Sequence, residues 1–392
     1  MNDFDPTLPE TLETPYALYR ELRARCPVAH TDELGGFWAL TRHEDVARAA
    51  ADHATYTTTV QNVVPRVAAS GRRPPLHLDP PDHTPYRKAI TPLLAGKRVD
   101  RLRPYIERLC NELLDPLVAQ GGGDMCGDYA SVVPIRVFAE WMNLPLEQAE
   151  WLADVARKYA RAVGMSDPEA TKDNSALLYD LAVHLLDDRK AHPRDPEDDV
   201  TAALLAVRVD GAALPDDMIV GTIRQVLVVG IIAPQIVFGA MVVHLANDLD
   251  LQDRLRTDRT AIAPAVEEFL RLYTPYRGFA RTATRDVTLH GVTIPAGEAI
   301  ALVYASANRD AAVFDDAETF RLDRPNMKDS VAFGRGPHMC PGAGLARLQL
   351  AVALEALLGR TTRFTLDGQV VPARMPEIGP VAVPVAFAGR AA

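Results

Sequence analysis

Cysteine is scarce in this chain: four residues in 392, at positions 26, 110, 126 and 340. No two of them stand at a metal-binding or redox spacing, which argues against a zinc ribbon and against a disulfide framework. A reducing cytoplasm fits that usage. Excess positive charge is lacking as well. The net charge is -10, and no basic run with interleaved aromatics occurs, so nucleic acid is not an expected partner. The first residues, MNDFDPTLPETLETP, have no basic segment followed by an apolar one, and read as neither a signal peptide nor a membrane anchor. A Gly/Ser-rich linker, an internal repeat and a low-complexity tract are all missing. What remains is a globular composition, 48% hydrophobic and 24% charged. It suits one domain over residues 1–392 whose core is large enough to enclose a sizeable cofactor.

Periodicity predicts a mostly helical fold with small β-sheets. Tyr16 to Arg25, His43 to Ala51, Asp100 to Val118 and Leu177 to Arg189 read as helices, and Gly35 to Leu40 as a strand. From Thr55 to Leu78 the pattern dissolves, the mark of a lid or binding loop. Val226 to Ala246 is apolar and long enough to span a bilayer. Pro234, Gln235 and His244 interrupt it, so a single long buried helix is expected there instead. Later segments, Asp286 to Ile294 and Ile300 to Ala305, alternate as strands. A meander follows from Phe314 to Asn326, and then a helix from Gly344 to Leu358.

The strongest local signal is Phe333-Gly334-Arg335-Gly336-Pro337-His338-Met339-Cys340-Pro341-Gly342. Glycines on both sides of the cysteine allow the backbone to turn sharply and lie close to a flat partner. A helix beginning just after Cys340 directs its first amides at the sulfur, which favours a thiolate. Such a thiolate can serve as the axial ligand of a haem iron. A buried cysteine beside a glycine turn is the simpler alternative for any lone cysteine.

The ten-residue pattern F-G-x-G-x-H-x-C-x-G resembles the haem loop of the cytochrome P450 family, and the resemblance extends through most of the chain. Glu268-Phe269-Leu270-Arg271 is similar to the family's E-x-x-R, with Arg324 of the meander as the third member of a Glu-Arg-Arg network. Asp79-Pro80-Pro81-Asp82-His83-Thr84-Pro85-Tyr86-Arg87 resembles the segment opening the family's C helix. The resemblance implies a cytochrome P450 fold and haem b held by Cys340 on the metal. Phe333 and Gly342 would lie along the loop, and His83, Arg87, Arg281 and His338 would serve the propionates.

One departure concerns the central helix, where most family members carry an acid followed by threonine for proton delivery. Here Ile232 and Ala233 take those places, and Pro234 and Gln235 follow. Pro234 has no N–H for the carbonyl of Gly230, so the helix should kink and leave that carbonyl for a water. The resemblance places a substrate pocket at Val60, Gln61, Val63 and Val64, at Val229, Ile232, Ala233 and Val237, and at Tyr276, Gly278 and Phe279. That lining suits a small hydrophobic or aromatic molecule. Arg66, Arg72, Arg73 and Arg277 are candidates for a substrate carboxylate. The implied reaction is monooxygenation, by hydroxylation or O-demethylation. Peroxide-driven oxidation, oxidative coupling and a haem-based sensor remain alternatives. With no flavin or ferredoxin module in the sequence, electrons are expected from a separate ferredoxin and ferredoxin reductase. Arg87, Lys88, Lys97, Arg98, Arg101 and Arg103 offer a docking face, or simply a solvated helix surface.

Overall fold

The computed structural model describes residues 2–13, 15–66, 71–165 and 167–389. Nine helices carry the argument that follows: α1 (His43–Ala51), α2 (His83–Ile90), α3 (Arg103–Gln120), α4 (Leu146–Gly164), α5 (Pro168–Ala191), α6 (Asp216–Val229), α7 (Ile232–Asn247), α8 (Ile262–Leu272) and α9 (Ala343–Arg360). Their ends follow local chemistry. Asp167 caps α5 by accepting from the Ala170 amide at 3.0 Å, with Pro168 in the first turn. Asp216 and Asp217 stand in the first turn of α6, where the helix dipole favours negative charge.

The main core brings together apolar faces of α3, α6, α7, α8 and α9, including Leu114, Leu227, Met241, Phe269 and Leu354, each fully buried. A smaller core lies under a five-stranded sheet of β1 (Val28–Thr31), β2 (Phe37–Leu40), β3 (Tyr56–Thr57), β4 (Phe279–Ala283) and β5 (Ala299–Leu302). The strand order is β1-β2-β5-β4-β3. Only the β2–β5 pair is parallel, with Ala39 opposite Ala301. Strand β4 carries Arg281, and its end pairs with the long loop, because Val63 bridges Phe279.

Three expectations change. The apolar stretch expected as one helix is two, α6 and α7, separated at Gly230 and Ile231. The break falls one turn before Pro234, as a missing i→i−4 hydrogen bond dictates. The 32-residue stretch Asp216–Asn247 has the hydropathy of a span, yet 59% of its most apolar window is buried within the protein. Asp286 to Ile294 is a hairpin rather than one strand: Val287–Leu289 pairs with Val292–Ile294. Between them His290 and Gly291 adopt φ of 50° and 80°, the left-handed pair that a tight two-residue turn requires. Ile300 to Ala305 ends as a strand at Leu302 and turns into a short helix, Tyr304–Ala307.

Candidate active site

The site is built up from a buried charge network. Glu268 and Arg271 stand one turn apart on α8 and meet in a bidentate pair at 2.8 Å for both bonds. Arg324 donates to the same carboxylate at 3.0 and 3.1 Å, and the Arg321 amide adds a fifth bond at 3.1 Å. The guanidinium of Arg271 also donates to the carbonyls of Asn308 and Ala317 at 2.7 Å, and that of Arg324 to Asp315 at 2.6 Å. Side-chain exposures of 0–1% leave these charges no other solvation, so the network fixes where the meander runs.

From the meander the chain enters the cysteine loop. Gly334 and Gly336 adopt φ of 71° and 73°, a region costly for other residues. A Cβ on Gly336 would lie 2.6 Å from Ala51 Cα and 2.8 Å from Ala50 O, so the loop rests directly on the end of α1. The Cys340 amide donates to Phe333 O at 2.8 Å and closes the loop. Gly336→Ala is therefore expected to lower the thermal midpoint by several degrees, since the left-handed backbone alone costs about 1–2 kcal/mol. Gly344, in the first turn of α9, provides a control. A Cβ there meets only Leu94 O at 3.5 Å, so Gly344→Ala should leave the midpoint within about a degree or raise it. Differential scanning calorimetry of both variants checks the pair, and equal midpoints would contradict this account of the loop.

Around Cys340 lie the predicted donor groups. His83 and His338 meet edge to face with centroids 4.8 Å apart. His338 Nε2 is 3.1 Å from Asp79 Oδ1, and Thr58 donates to the same oxygen at 3.1 Å. Burial works against the Asp79 carboxylate, but hydrogen bonds from His338, Thr57 and Thr58 outweigh it and hold its pKa at about 2. Burial, His338 and Arg87 depress His83 to about 4, and its Nε2 is buried with no partner among the described residues. Arg87 donates to Met339 O, and buried Arg281 donates to Ala280 O at 2.8 Å. On the other side of the loop Arg347 of α9 lies 4.5 Å over the Phe333 ring.

Cys340 as a whole residue is half-buried. The glycine after it opens the room beside it, a Cβ on Gly342 lying 3.9 Å from Sγ. Helix α9 begins at Ala343, just after the cysteine as expected, and the backbone amide that bonds the sulfur is that of Gly342. Burial therefore holds the thiol above its ordinary value, opposed by the Gly342 amide and by the charges of Arg87 and Arg347.

The remaining predicted residues divide. Ile232, Ala233 and Gln235 are half-buried, while Pro234 is buried. Gln61, Val63, Tyr276 and Phe279 are also half-buried, and Tyr276 packs on Phe279 at 4.4 Å. Val60 is exposed, and the side chain of Val229 lies outside the described residues. Val64 and Val237 are core residues, 2% and 1% exposed, and Gly278 is enclosed by Val64 O and Pro376. Arg277 is buried and engaged by backbone carbonyls. It donates to Glu377 O at 3.0 Å and Thr11 O at 2.9 Å, holding the N-terminal segment to the chain near 377. Of the proposed docking face, Arg98 and Arg101 pair with Asp198, and Arg103 with Glu107 and Glu355. Lys88 and Lys97 stay exposed.

A cavity of about 530 Å³ opens in the long loop, lined by Val60, Gln61, Asn62, Arg66, Arg73 and His77 among others. Burial, Arg73 and Arg224 together depress His77 to about 3, so it is neutral in the folded protein. Below the ordinary value of 6.5 the unfolded chain gains a proton that the folded chain refuses, and stability falls as pH drops through that window. His77→Gln should flatten the fall in thermal midpoint between pH 7.5 and 5, and identical slopes would contradict the assignment.

The geometry suits haem. Arg87 and Arg281, which pair with no carboxylate among the described residues, border the loop, the His83 Nε2 is buried without a partner among them, and glycines clear the backbone around a sulfur. A helix-rich fold with a glycine-bounded cysteine loop locked by a Glu-Arg-Arg network defines the haem-thiolate class. The comparisons agree. A family profile described as Cytochrome P450 matches residues 260–383. Cytochrome P450 107B1 of Saccharopolyspora erythraea is 32% identical over 373 residues, covering 91% of this chain and 89% of that protein. Cyclomarin C epoxidase CymV of Salinispora arenicola is 30% identical over 357 residues, covering 89% of each. The structure of cytochrome P450 CYP109Q5 from Chondromyces apiculatus superposes with a TM-score of 0.87 at 27% identity, covering 99% and 98% of the two chains. The chain belongs to the cytochrome P450 family. It is a haem b oxidoreductase of the monooxygenase type.

Proposed function

We propose that this enzyme hydroxylates or O-demethylates a hydrophobic or aromatic molecule, and that water rather than an acid–alcohol pair supplies its protons. In the overall reaction one oxygen atom of dioxygen enters a C–H bond. The second leaves as water, consuming two electrons and two protons. Cys340 would hold the haem iron, Phe333 and Gly342 would shape the loop beside it, and His83, Arg87, Arg281 and His338 would hold the propionates. When bound, haem supplies the oxidising chemistry.

The observation that carries the proton assignment is the break between α6 and α7. Ile232 and Ala233 have no side chain that moves a proton, and Pro234 leaves the Gly230 carbonyl without its helical donor. That carbonyl can hold a water, and half-buried Gln235 lies one residue beyond Pro234. The half-buried set Gln61, Val63, Ile232, Tyr276 and Phe279 orients an apolar substrate and excludes bulk water. A relative named as an epoxidase supports oxygen insertion as the outcome. The exposed lysines Lys88 and Lys97 mark where a separate acidic ferredoxin, fed by its reductase in the cytoplasm, would dock. Pairing of Arg98, Arg101 and Arg103 makes that face less positive than the sequence suggests.

The missing acid–alcohol pair also favours a second reading, in which peroxide brings its own protons or substrate radicals couple. A screen for ligands that shift the haem spin state, followed by product analysis with surrogate ferredoxin, reductase and NADH, separates the two. Product forming in proportion to NADH consumed is expected. Product forming only with added peroxide would overturn the proposal.

A further inference from the structure

Helix α6 carries one guanidinium in the middle of an apolar sequence. Arg224 is 1% exposed, between buried Ile223 and Val226. It meets Arg73 of the long loop, itself 8% exposed. The approach depends on Gly221, one turn before Arg224, where a Cβ would fall 2.1 Å from the Arg72 carbonyl. The loop thus lies directly on the helix, and it seats Arg73 beside Arg224.

Both guanidiniums keep their charge at any working pH. Among the described residues neither makes a salt bridge to a carboxylate. Arg224 donates to Ser175 Oγ at 3.0 Å and lies over the rings of Tyr159 and Tyr179 at 4.7 and 5.7 Å. Arg73 lies 3.1 Å from neutral His77 and hydrogen-bonds the Tyr159 hydroxyl, a neutral group that it shares with Arg224. The Nε atoms of both arginines and the Tyr179 hydroxyl are buried without a partner. Two unpaired cations with three unused donors are an arrangement that burial strongly disfavours. The aromatic faces account for Arg224 in part, but among the described residues no ring lies under Arg73. The local potential is visible in the neighbours. Burial would raise the Tyr159 phenol, yet Arg224 and Arg73 outweigh it and hold it below its usual value.

Arg73 lines the 530 Å³ cavity, with Arg66 and Arg72 exposed at its rim. The same cavity is bordered by Val63, which bridges Phe279. A molecule entering it meets Arg73, with Arg224 packed behind that guanidinium, and the proposed substrate wall at Val63.

We infer that the substrate is a hydrophobic carboxylic acid whose carboxylate is bound between Arg73 and Arg224, with the Tyr179 hydroxyl as a further donor. This rests on the reading of the enzyme as one that oxidises a bound organic substrate. It adds the class of that substrate, and it identifies Arg224 as a specificity residue. A small free anion such as phosphate would satisfy the same donors, and the test separates the two.

Haem-loaded protein is titrated calorimetrically with dodecanoate, 4-phenylbutanoate, their methyl esters and inorganic phosphate. No turnover is needed, so failure here is distinct from failure of the oxygenation proposal. At least one acid is expected to bind tenfold or more tighter than its ester. Arg73→Gln and Arg224→Gln should each remove that preference while leaving ester affinity within threefold. Should a variant fail to fold, the acid-to-ester ratio in the unaltered enzyme decides. Acids that bind no better than their esters, no binding by either acid, or phosphate binding alone would overturn the inference.

Discussion

Glu268→Ala is expected to prevent recovery of a folded, haem-loaded enzyme. Arg271, Arg324 and the Arg321 amide all converge on this one carboxylate, and its side chain is 1% exposed. Removing it leaves two buried guanidiniums with only carbonyl acceptors. Breaking a buried pair in this way costs about 3–5 kcal/mol, a large share of the 5–15 kcal/mol by which a domain is typically stable. The meander and the cysteine loop should detach first, because Glu268 is the carboxylate that both arginines of the network share. Soluble yield and haem content per chain measure the effect. Glu268→Gln should be nearly as damaging, since the shape remains while the negative charge is lost. Haem content equal to that of the unaltered enzyme would show that the network does not hold the loop.

Cys340→Ala should give the second large loss. The variant removes the single sulfur beside Gly342, and the reduced carbon monoxide complex should lose the red-shifted band that a thiolate produces. Dioxygen-dependent turnover should fall to background. The comparison is Cys110→Ala. Cys110 is fully buried on α3, where burial raises its thiol to about 11, and its sulfur has no role at the haem. That variant should keep the thiolate spectrum at a modest cost in stability. A red-shifted band surviving in Cys340→Ala would remove the basis for the whole site.

Much of this was legible from residue order. The cysteine loop, the E-x-x-R pair and the D-P-P-x-H-x-x-x-R segment are contiguous, and their spacings alone imply one helical face or one turn. His83 and His338, 255 positions apart in sequence, are adjacent in space as the resemblance implies. Relations between distant elements were less accessible. Nothing around Arg277 reveals that it serves Thr11 and Glu377, because its partners are backbone carbonyls of remote segments. The burial of Val237 depends on which way α7 is turned, and a helix apolar on all faces gives no periodicity to fix that. The interruption at Gly230–Ile231 was implied by Pro234, although its extent was not. Arg224 did leave a signal: a lone arginine in the apolar run Ile219 to Val229 is costly unless something pairs with it.

The central claim is that oxygen is inserted from dioxygen even though Ile232 and Ala233 stand where proton-delivering side chains are usual. The most direct test is turnover under ¹⁸O₂ with surrogate redox partners, with product analysed by mass spectrometry. The account predicts one labelled oxygen in the oxidised product, formed in proportion to the NADH consumed. Unlabelled product, or turnover confined to added peroxide, would contradict it.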